Sequence, residues 1–154
     1  MITDSIGKRI TEAMKARDEI RLSTLKLLSS ELHNQKIAKQ KDLTQEEELE
    51  VVRREAKKRK DAIDIYEKVL RQNSGQAGAK DRADKEKKEL EILQEFLPAQ
   101  LSDEVLVGIV DEAIKQIGAN SMADMGKVIG FVMKKASGQV DGGRVSQLVK
   151  EKLS

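Results

Sequence analysis

The sequence predicts an all-α protein, and three observations carry that expectation. Apolar residues recur at helical spacings and rarely alternate, charged residues make up 36% of 154 positions, and aromatics only 2%. The aromatic side chains are Phe96, Phe131 and Tyr66, so the core has to be aliphatic, built from Leu, Ile, Val, Met and Ala. This length suits one domain with a modest core or two small ones. The reading is an N-terminal long-helix domain over residues 1–97 and a small three-helix domain over 98–154.

The elements follow in order. Ile2, Ile6, Ile10 and Met14 recur every four residues and mark one face of a first helix. A second carries Leu22, Leu25, Leu28 (or Leu27) and Leu32 on one stripe. Thr44 and Glu47 form a capping box that opens a third, with Leu49, Val52, Ala56, Ile63, Tyr66 and Leu70 inward. Charge fills the slot between Ala56 and Ile63, at Arg59 or Lys60. A helix this long is expected to leave the core midway and cross solvent or meet a partner.

Asn73 to Gly78 is a turn signal, and a fourth helix follows with Ala83, Leu90, Leu93 and Leu97 inward. Pro98 lacks an amide hydrogen and ends it, which places the domain boundary. In the second domain, Ser102 caps a helix that stops at Gly118. A Ser121/Asp124 capping box opens the next, and Asp141 caps the last.

Composition narrows the chemistry. The chain has no cysteine, which excludes disulfides, zinc–thiolate sites and thiol catalysis together. Met1-Ile-Thr-Asp-Ser is not a basic-then-apolar secretory opening, and no apolar run approaches transmembrane length, so a cytoplasmic protein without membrane contact is expected. Net charge is only +2, so nucleic-acid binding would have to come from local patches. Residues 1–97 carry 22 basic and 20 acidic side chains, against seven of each in 98–154. The first part therefore reads as long exposed helices and the second as a more compact unit.

Residues 125–145 hold five of the ten glycines, each unfavourable by about 1 kcal/mol in a helix interior. Gly126 and Gly130 share one helix face, which suits tight packing in a bundle or a surface needing bare backbone. Gly138 suits a left-handed helix end. Gly142 falls in a helix first turn, where free amides hold phosphate unless Asp141 occupies them.

The run GKVIGFVMKKASGQVDGGRVSQLV, residues 126–149, resembles the signature of the YqeY family and the C-terminal tail domain of the GatB subunit of glutamine-dependent aminoacyl-tRNA amidotransferase. FLPAQLSDE (96–104), KKRKDAIDIYEK (57–68) and RLSTLKLLSSEL (21–32) extend the YqeY likeness over nearly the whole chain. The family's glycines, methionine–lysine pair and valine fall on Gly126, Gly130, Met133, Lys134, Gly138 and Val145. Arg144 departs, since the family more often has an apolar residue there. The resemblance implies an all-α fold and kinship with a domain that helps hold tRNA. It also brings a family label, carbon–nitrogen ligase with glutamine as amido donor, which describes the parent complex.

No catalytic residue, metal site or cofactor is expected in the chain itself: it shows no nucleophile elbow and no P-loop. His33, the sole histidine, reads as a solvated helix residue, and Glu46, Glu47 and Glu48 as first-turn acids favoured by the helix dipole. The expected RNA contacts are Lys127, Lys134, Lys135 and Arg144, beside Gly126, Gly130, Gly138 and Gly142. A secondary basic ridge comprises Arg53, Arg54, Lys57, Lys58 and Lys60. It reads either as a solvated face with pairs such as Glu50/Arg54, or as phosphate contacts. The expected partner is tRNA; the competing expectation is an amidotransferase or other protein partner docked on the third helix.

Overall fold

A computed structural model describes residues 1–73, 77–136 and 139–154. Among them are seven α-helices and no strand: α1 (Ile2–Ala16), α2 (Glu19–Lys39), α3 (Gln45–Gln72), α4 (Ala79–Gln94), α5 (Asp103–Ile117), α6 (Met125–Lys135) and α7 (Gly142–Leu153). Contacts divide the chain into two compact units, Met1–Leu97 and Pro98–Ser154.

In the first unit α3 and α4 form an antiparallel hairpin onto which α1 and α2 pack. Its core joins Ile6, Leu28, Leu32, Leu43, Val51, Val52, Ala56 and Leu93, with Ala13, Leu25 and Ile92 in an adjoining cluster. Each Leu, Ile or Val among them contributes roughly 1.5–3 kcal/mol on burial, and each Ala less. Of the alternatives on α2, Leu28 is buried and Leu27 exposed. Local chemistry sets the helix ends. Asp18 accepts from Arg21 N at 3.0 Å. The Thr44/Glu47 capping box closes in both directions, with Thr44 N donating to Glu47 Oε2 at 2.8 Å. The Lys39 ammonium, assisted by the Thr44 amide, pulls the Glu47 carboxyl down to about 2.

Helix α3 does not simply leave the core midway. Arg59 sits in the slot between Ala56 and Ile63, buried, donating to Glu55 at 2.8 Å and to Glu89 of α4 at 3.1 Å. The sequence put charge at that slot; the fold keeps it inside by giving one guanidinium two carboxylates. Glu48 is also fully buried. It accepts from the amides of Ile2 (2.7 Å) and Thr3 (3.1 Å) and from the Thr3 hydroxyl. An acid of α3 thereby caps α1, whose own N-cap, Met1, makes no side-chain cap bond. Helix α4 ends at Gln94, just ahead of Pro98.

In the second unit α5, α6 and α7 enclose Leu106, Val110, Ala113, Val128, Val132, Val145, Leu148 and Val149. Ser102 caps α5, and Gly118, at φ 69°, closes it in the left-handed region that glycine adopts without strain. The expected Ser121/Asp124 box forms differently. The Asp124 carboxylate takes the amide of Asn120 and the Ser121 hydroxyl, and a 3-10 turn over Met122–Asp124 delays α6 to Met125. Asp141 accepts from Gly143 N at 2.8 Å and opens α7.

Candidate nucleic-acid interface

Helix α6 reads MGKVIGFVMKK, without a single acid. Val128 and Val132 turn into the core, which leaves the opposite side of the helix outward. At about 100° per residue, Gly126, Gly130, Lys134 and Lys127 fall within one arc of about 100° on that side. All four are exposed. A Cβ added at Gly126 or Gly130 would meet nothing within 4 Å. Tight packing is thus not their reason: they leave a stretch of helix backbone bare to solvent. Lys127 and Lys134 make no ion pair or side-chain hydrogen bond among the described residues. Their seven-residue separation is about 10.5 Å along the axis.

The other two expected cations lie elsewhere in the unit. Lys135, further round α6, pairs with Glu112 of α5. Arg144 of α7 forks onto Asp103 at the start of α5, at 3.0 and 3.3 Å. That carboxylate holds the guanidinium above its ordinary range. Lys152 adds a third link, to Asp111 at 2.7 Å. The basic ends of α6 and α7 therefore grip an acidic α5. Both the Lys135 and Arg144 pairs are solvent-exposed, so each is weak enough for another anion to exchange with.

Gly142 is exposed in the first turn of α7, with open space around it. Asp141 already takes the neighbouring amide and adds negative charge. Gly138 lies outside the described residues.

The ridge on α3 is laced with acids. Arg53 pairs with Glu46 at 2.8 Å, Lys57 with Asp61 at 2.9 Å and Lys58 with Glu55 at 2.6 Å. Arg54 meets Glu31 of α2 at 3.9 Å, not Glu50. Lys60, half-buried, also has a partner. The three consecutive glutamates at the start of α3 point apart: Glu46 to Arg53, Glu47 to its own capping box, and Glu48 inward to α1. His33 is exposed on α2.

Sequence reasoning missed the inward acids. Their signal was available, since Glu48 and Glu55 stand four before and three after Val52, on the helix's buried side.

Two small all-helical units, one of them exposing a lysine-flanked strip of bare backbone, describe a protein whose candidate site is a surface. The profile of the Yqey-like protein family matches residues 3–153, and this chain belongs to that family. It is similar to "Uncharacterized protein C22F3.15" of Schizosaccharomyces pombe, at 32% identity over 98 residues, covering 64% of this chain and 73% of that relative. Among the described residues no helix is long and apolar enough to cross a membrane.

Proposed function

We propose that this is a non-catalytic, cytoplasmic helical protein that binds tRNA through α6, with residues 98–154 acting as a domain related to the amidotransferase tail. The observation that carries the reading is the pairing of two uncommitted lysines with open backbone at Gly126 and Gly130. Phosphate oxygens reach a helix surface closely where no Cβ intervenes, and two ammonium groups beside it supply the attraction. Lys135 and Arg144 join as secondary contacts by exchanging exposed carboxylates for phosphates. Phe131 is half-buried against the core of this unit, and one partly covered ring is a poor stacking platform, so recognition rests on backbone and shape, not base stacking.

Filter binding of total tRNA at about 50 mM salt tests this. Wild type is retained, and the Lys127→Ala/Lys134→Ala variant loses about tenfold or more in affinity. Equal retention of the two proteins, or no retention of either, overturns the reading.

A second reading, a protein-interaction adaptor, is favoured by one observation: Ile65 on α3 is 62% exposed. Partners that survive nuclease treatment of a lysate separate this reading from the first. Amidation of mischarged tRNA by the chain alone, the third reading, is expected to give no product.

A further inference from the structure

One face of α3 changes its surroundings along its length. Val51, Glu55, Lys58, Ala62, Ile65, Val69 and Gln72 follow one another at alternating spacings of four and three, which is a heptad seam. At the N-terminal end Val51 and Glu55 are buried inside the first unit. Toward the C-terminal end the seam opens: Ala62 and Val69 are only half-buried and Ile65 is 62% exposed. The flank toward α4 is occupied, since Arg59 on that side reaches Glu89. The other flank carries Asp61 and Lys68, both exposed. Asp61 holds only Lys57 of its own helix, and Lys68 makes no ion pair among the described residues.

We infer that the occupant of this seam is a second copy of the chain, with the two α3 helices pairing antiparallel about a two-fold axis through Ile65. A two-fold interface must complement itself, and this one does. With Ile65 facing Ile65 of the second copy, Ala62 meets Val69 of the second copy, small against large, and polar Lys58 and Gln72 close the two ends. In an antiparallel pair each flank meets its own counterpart. Asp61 therefore lies level with Lys68 of the second copy to within one residue's rise, ~1.5 Å along the axis, close enough for an ion pair, and the contact occurs twice. A parallel pair would set Asp61 beside Tyr66 and make no such match. Three apolar positions per helix are far fewer than the roughly 20–30 residues per side of a stable complex. The dimer is accordingly weak and concentration-dependent.

The chain has no native cysteine, so single thiols report the geometry cleanly. In the full chain, Ile65→Cys is expected to cross-link to itself through a short bismaleimide, which adds one thiol at each end to form two thioethers, whereas Asp64→Cys, one position off the seam, gives little. Sedimentation equilibrium should show dimerisation weakened about tenfold or more by Ile65→Asp, at unchanged helicity. Asp61→Lys should weaken it too, and adding Lys68→Asp should restore it. The inference falls if the wild type is monomeric at all concentrations reached. It falls equally if Ile65→Cys cross-links no better than Asp64→Cys, if Ile65→Asp associates like wild type, or if a different protein holds the seam.

Discussion

The cations of α3 and those of α6 look alike on paper and live differently. Between Arg53 and Lys60 the long helix carries six, yet acids are interleaved with them or stand on a neighbouring helix. Arg53, Arg54, Lys57, Lys58 and Arg59 each meet a carboxylate within 4 Å. Helix α6 has three lysines and no acid; the one carboxylate a turn from its outward pair, Asp124 three before Lys127, is taken by the Asn120 amide and the Ser121 hydroxyl. A count of basic residues measures neither availability nor field. What matters is whether a carboxylate at i±3, i±4 or on the neighbouring helix reaches the cation. By that measure the sparser helix is the better anion surface.

Arg59 separates the two helices most sharply. Replacing it with alanine strands Glu89 and leaves buried Glu55 with Lys58 alone inside the α3/α4 hairpin. The loss should be about 3–5 kcal/mol, read as a drop in the urea midpoint, because uncompensated buried charge is costly. Lys134→Ala should leave the same midpoint within about 0.5 kcal/mol. If the two variants proved equally stable, the ion network would not be the structural element described above.

Glu48→Ala should cost somewhat less, about 1–3 kcal/mol, since two amides at the start of α1 lose their acceptor. Hydrogen exchange localises the effect, with the first turn of α1 expected to open ahead of α3.

Arg144→Ala removes an exposed pair with Asp103 and should leave the urea midpoint close to that of wild type. The smallest effect concerns Glu47. Its carboxyl titrates at about 2 in the fold against an ordinary 4.5. The depressed value means the capping contribution is complete above about 4.5 and fades as pH falls toward about 2. Wild type should therefore lose more stability than Glu47→Gln over that acid range in parallel urea titrations.

Much of this fold was legible in the sequence. Spacing placed the apolar stripe of α2 and the start of that of α1, where Ala13 is buried in place of the expected Met14, which is exposed. Thr44, Ser102, Gly118 and Asp141 marked helix ends through their own side chains or backbone freedom. Those signals are local, acting within four residues. What sequence could not give depends on distant partners. The Glu48 contacts with Ile2 and Thr3 span 46 and 45 residues, and Arg59 finds Glu89 thirty residues on. For the candidate site, Lys127, Lys134 and the shared face of Gly126 and Gly130 could be read from spacing on one helix. The separation of Lys135 and Arg144 onto α5 could not, because it depends on which helices pack together.

The central claim is that anion binding belongs to α6 and not to the α3 ridge. The direct test is the salt dependence of tRNA affinity for wild type, Lys127→Ala/Lys134→Ala and Lys57→Ala/Lys58→Ala. The account predicts that the α6 variant loses affinity and flattens the log–log salt slope by about 2, while the α3 variant tracks wild type. A flattened slope in the α3 variant with an unchanged α6 variant would contradict it.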